Sequence, residues 1–148
     1  LNQPSGGVFY LERMEGFRAV LEEFHPAVRV VRTIHDIADN EMSYREVSAY
    51  LDGNPPPDAI YLTGLGTAGV ARALVEHGCA GVKFVCYDRI PETLELLRER
   101  IVNFTITQDP FSQGYLPVKI LFDELFNGTQ PASGHIQTRI EVLSAENI

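Results

Sequence analysis

At 148 residues, 45% of them hydrophobic and 22% charged, the chain is long enough for one domain with a real hydrophobic core. Its formal charge of -8, from 20 acidic against 12 basic side chains, excludes a surface that grips nucleic acid through phosphates unaided. No apolar run approaches the roughly 18 residues that a membrane span requires, and no charged start leading into an apolar stretch marks a secretory leader.

The elements follow one another at a regular beat. Leu11, Met14, Phe17, Leu21 and Phe24 recur every three to four residues and predict an amphipathic helix that stops before Pro26. VRVVRTI, Val28 to Ile34, is short and β-branched and reads as a strand, and SYREVSAYL, Ser43 to Leu51, reads as a helix ended by GNPPP. Strand Ala59–Thr63, helix Thr67–His77 and strand Val82–Tyr87 come next, then a helix from Pro91 to about Arg100. A short strand, Phe104–Thr107, precedes DPFSQG; an apolar helix runs from Tyr115 to Phe126, and a strand, Thr138–Leu143, closes the chain. This alternation predicts one α/β domain: a doubly wound, mainly parallel, five-stranded sheet with helices on both faces.

Right-handed crossovers put the C-terminal ends of parallel strands on one edge, where ligands of such sheets bind. The residues following each strand are His35 and Asp36, Thr63 and Gly64, Asp88 and Arg89, and Gln108 and Asp109, with Arg13 on the first helix as a further candidate. Carboxylates accept hydroxyl protons, a guanidinium donates a fork and an amide does both, so the set suits recognition of a polyhydroxylated molecule. There is no G-x-S-x-G elbow, H-E-x-x-H pair, Walker lysine or Cys with a His partner, so no catalytic set and no metal site is read. Cys79 and Cys86 read as small buried side chains in a reducing compartment.

Gly64-x-Gly66-x-x-Gly69 spells the dinucleotide fingerprint between a strand and a helix, with Asp88 about 20 residues on. The same turn also suits a small solute at a helix N-terminus, or a compact strand-to-helix turn capped by Thr67. The fingerprint normally opens a domain on its first strand, whereas here a helix, a strand and another helix come first. A nicotinamide or flavin enzyme is therefore the weaker reading, and no cofactor is expected.

LERMEGFRAVLEE, VKFVCYDRIPETLELL, FTITQDPFSQGYLPVKILFDELFNG and the closing IEVLSAENI resemble, in the right order, the effector-binding region of LacI/GalR-type transcriptional regulators. The last piece is also similar to the final strand of periplasmic sugar-binding proteins of the same fold. The resemblance implies the second lobe of a type I periplasmic-binding-protein-like sensor that closes on a sugar. It carries ligand contact over to Arg13, Asp88 and Gln108, with Thr63 and Gly64 replacing the family's usual Asn-Asp, and Asp36 or Phe111 at the mouth. It further implies a cytoplasmic, non-enzymatic homodimer that reaches DNA only through a domain lying outside this chain, and no membrane partner. The alternative is part of a periplasmic sugar-binding protein of an ABC importer. Residues 109–130 are taken as a helix that in intact relatives crosses back to the first lobe. Lacking that lobe, the helix is expected to pack against a second copy or fold back on its own sheet.

Overall fold

A computed structural model of the chain describes residues 8–35, 37–131 and 133–148. The elements are α1 (Val8–Phe24), α2 (Asn40–Gly53), β1 (Ala59–Tyr61), α3 (Thr67–Glu76), β2 (Lys83–Tyr87), α4 (Pro91–Arg98), β3 (Phe104–Gln108), α5 (Pro110–Asn127) and β4 (Ile140–Leu143). Local chemistry explains most boundaries. Asp39 caps α2 by accepting the Met42 N–H at 2.7 Å. Pro91 opens α4 at its first position, where the missing N–H would have had no partner. Asp109 caps α5 through the Ser112 N–H at 3.0 Å, so that helix begins before the predicted Tyr115.

Among the described residues the sheet has four strands in the order β1-β2-β3-β4, not five. β1, β2 and β3 are parallel; β4 runs antiparallel to β3, with Gln108 opposite Ile140 and Thr105 opposite Leu143. The missing fifth strand is Val28–Ile34. Its β-branched residues favour a pleated surface, but propensity does not supply a neighbour at ladder distance, about 4.8 Å. Val28, Val30 and Thr33 line a cleft of about 720 Å³ together with Ala59 to Tyr61 and residues of α1 and α2, and among the described residues β1 is paired only with β2.

Period-two alternation sorts the strands. Phe84, Cys86, Thr105 and Thr107 are buried on one face, where they meet Leu62, Val70, Ala73 and Leu74 and, from α4, Leu97. The other face carries Tyr61, Val85, Tyr87 and Ile106, half-buried, and α1 crosses it with Phe17 stacked on Tyr61 at 4.7 Å. Helices thus lie on both faces, as the alternation predicts. α5 does not fold back on this sheet. It has no buried residue, and Phe111, Val118, Leu125 and Phe126 are each at least two-thirds exposed.

α2 and α3 pack backbone to side chain. A Cβ at Gly69 would meet the Asn40 carbonyl oxygen at 1.8 Å and the Ser43 hydroxyl at 2.1 Å. Ser43 donates to the Gly66 carbonyl at 2.8 Å, and the Gly69 N–H donates to Asn40 Oδ1 at 3.3 Å. Gly66 is the N-cap of α3 with φ 102, a conformation that favours glycine. Thr67, read as a cap, is instead the first helical residue.

Candidate functional site

The C-terminal ends of β1 and β2 gather most of the residues singled out by the sequence. Arg13 reaches down from α1, and its Nη1 donates to the Thr63 carbonyl at 2.7 Å. The guanidinium carbon lies 3.7 Å from the centre of the Tyr87 ring and 5.6 Å from that of Tyr10. A cation over aromatic faces is favourable. Tyr61 and Tyr87 meet hydroxyl to hydroxyl at 2.7 Å, edge to face, and Phe17 extends the aromatic wall. Burial, then the bond to Tyr87, pushes the Tyr61 phenol well above its ordinary value, so it stays a neutral hydrogen-bonding group.

Asp88 sits one residue past Tyr87 in the left-handed region, φ 72. Its main chain is fixed on both sides: the N–H donates to Ile106 O at 2.9 Å, and its carbonyl accepts from the Thr105 hydroxyl at 3.0 Å. Its exposed carboxylate takes no hydrogen bond among the described residues. A non-glycine residue held at positive φ by its surroundings is a feature of functional turns. Arg13 and Asp88 are not ion-paired. Arg13 approaches from α1 with its guanidinium against the Tyr87 ring, and Asp88 is the next residue along the chain after Tyr87.

The remaining candidates are placed as follows. Thr63 is buried and offers its carbonyl to Arg13; Gly64, half-buried, follows it in the turn to α3. Gln108 ends β3, exposed, with its Oε1 accepting from Gln113 at 2.9 Å. Phe111 stands on the first turn of α5, stacked on Tyr115 at 5.7 Å and 76% exposed, apart from the Arg13 cluster's aromatic contacts. Asp36 lies outside the described residues. Tyr61 and Tyr87 went unread as site residues, although their place in period two with Ala59 and Val85 puts them on one sheet face.

The arrangement sets oriented polar groups beside an aromatic wall. It offers a positioned guanidinium, an aromatic wall and an exposed carboxylate, and no group of three His, Cys, Asp or Glu among the described residues could hold a metal ion. Cys86 is buried, its thiol pushed up to about 11, chiefly by burial, which keeps it inert; Cys79 is half-buried. Two glycines of the run, Gly66 and Gly69, are accounted for by α2 through their contacts with Ser43 and Asn40.

The xylose/arabinose-binding protein XylF of Sulfolobus acidocaldarius is 27% identical over 146 residues, covering 92% of this chain and 35% of that protein. The crystal structure of a sugar ABC transporter sugar-binding protein from Bacillus halodurans superposes with a TM-score of 0.85 at 24% identity, over 99% of this chain and 54% of the other. An ABC transporter solute-binding protein from Agrobacterium vitis, solved with α-D-tagatopyranose, gives 0.86 at 23% identity, over 99% and 49%. The chain thus spans between about a third and a half of these relatives. Residues 7–129 match the family described as periplasmic binding protein domain, most of the chain's length, and it is to this family that the chain belongs.

Proposed function

We propose that the chain is one sugar-contacting lobe of a two-lobed solute-binding protein of the kind that serves an importer. The observation that carries this is the rim itself: Arg13 anchored between the Thr63 carbonyl and the Tyr87 ring, one residue from the exposed Asp88 carboxylate. An apolar wall with a few oriented polar groups is what a small hydroxylated ligand needs. The relatives bear the names of sugar-binding and transporter proteins, which favours transport over the regulator that the sequence resemblance suggested. The ligand class is a monosaccharide, and recognition without chemical conversion is the task.

α5 fits the same reading. Its exposed apolar side chains, on a chain about half as long as the structures it superposes on, belong against the other lobe. Closure then requires the sugar to favour one lobe arrangement over another, since equal affinity for both shifts nothing.

The test is a thermal-shift titration of the intact protein with D-xylose, L-arabinose and D-tagatose. At least one sugar raises the midpoint, and Arg13→Ala and Asp88→Ala abolish the rise. Both variants keeping the full shift would refute the site. The sequence upstream of this chain discriminates the two classes: a secretory signal accords with transport, and a helix-turn-helix with a LacI/GalR-type regulator that dimerises on DNA.

A further inference from the structure

Arg89, next after Asp88, and Arg139, just before β4, line one cavity of about 330 Å³ whose remaining wall is β4, Asn147 and Ile148. The contacts described for the sugar rim draw on neither side chain, although Arg89 follows Asp88 at the same strand end. In a chain of net charge -8, the side chains lining this cavity include two guanidiniums against one carboxylate. That carboxylate is Glu141, 2.9 Å from Arg139, while Arg89 has no carboxylate partner among the described residues. Asp109 feels Arg139 through space, but both its oxygens are held by Ser112. Asn147 is a fixed wall: its Oδ1 accepts the Ser144 N–H at 2.7 Å and its Nδ2 donates to Val142 O at 3.1 Å.

A guanidinium matches the spacing of two oxygens on one carbon or phosphorus, and holds them by charge-assisted bonds stronger than those to a neutral hydroxyl. The volume is at the small end of ligand cavities, about 300 Å³ upward. We propose that this cavity is a second site, for the phosphate or carboxylate group of a small molecule held between Arg89 and Arg139. It stands on residues independent of the sugar rim, so either can fail alone.

The experiment is an amide and arginine-side-chain NMR titration of the 148-residue chain with inorganic phosphate and, separately, acetate, each against sodium chloride of equal ionic strength. Saturable shifts are expected at the Arg89 and Arg139 Nε–H and along β4 with at least one of the two anions. Saturation by phosphate alone assigns a phosphate ester, by acetate alone a carboxylate, by both an oxyanion site tolerant of either. Arg89→Ala and Arg139→Ala each weaken the apparent affinity about tenfold, the loss of one charge-assisted bond. Arg89→Gln and Arg139→Gln, which keep length and polarity, serve if an alanine variant misfolds. Chloride reproducing the shifts, no shifts at all, or variants that titrate like the parent would each overturn the proposal.

Discussion

Replacing Gly69 by alanine adds a single methyl group at the closest approach of α2 and α3. The new Cβ stands 1.8 Å from the Asn40 carbonyl oxygen, and since ordinary contact begins at 3.4 Å, α2 must back away by roughly 1.6 Å. The obstacle is backbone, which cannot rotate aside. Overpacking of this kind costs about 1–3 kcal/mol, occasionally more. The retreat also breaks the Ser43–Gly66 and Gly69–Asn40 hydrogen bonds, about 1 kcal/mol each, against about 1 kcal/mol gained from alanine's better helix propensity. The net loss is about 2–4 kcal/mol from a total stability of about 5–15 kcal/mol. Urea unfolding followed by far-UV circular dichroism measures it, with Gly16→Ala as the control. Gly16 lies in α1 with nothing near its added Cβ, so that variant gains up to about 1 kcal/mol. A Gly69→Ala midpoint within 0.5 M of the parent, about 1 kcal/mol at typical slopes, would refute the packing argument.

Three further outcomes are expected. His77 receives its raised pKa from the Ala73 carbonyl first and Asp52 second, so its stabilising contribution is full below its ordinary 6.5 and fades as pH rises through the folded value. Urea midpoints recorded across that range should therefore fall less in His77→Gln than in the parent; equal slopes would contradict the assignment. Folded protein treated with iodoacetamide at pH 8 should be alkylated at Cys79 well before Cys86, whose thiol titrates near 11, and peptide mass spectrometry reads the order directly. The isolated chain should self-associate through α5, and Leu121→Glu with Phe122→Glu should return it to a monomer in sedimentation velocity; a parent chain monomeric at every concentration would argue against an adhesive α5.

Much of this architecture is legible in the sequence because it rests on local rules. Helix periodicity from Leu11 to Phe24, the prolines at 55–57 and Pro91, and the alternation of Phe84 and Cys86 with Val85 and Tyr87 each act within a few residues. Val28–Ile34 does not join the sheet because its composition reports backbone preference, while strand pairing depends on an approach between distant segments. The glycine run shows the same limit: three glycines at fixed spacing announce close contact without saying with what. A phosphate would have spelled them identically; at Gly66 and Gly69, Ser43 and Asn40, more than twenty residues upstream, fill the space instead. At the rim, Thr63 and Asp88 follow from the strand ends, whereas ligand contact by Arg13 follows from the family resemblance. The tyrosines follow from neither, since their half-burial depends on how α1 crosses the sheet.

The pairing of Gln108 with Ile140 has a topological consequence. Everything from Asp109 to Arg139 leaves and re-enters the sheet at adjacent points, so the excursion is a closed loop hung from one rung, and none of α5 contributes to the core. Its removal would leave β3 and β4 as neighbouring antiparallel strands whose ends a tight two-residue bend can join. The sheet and its cargo helix are therefore separable modules, and evolution or an engineer can exchange what hangs there without refolding what holds it.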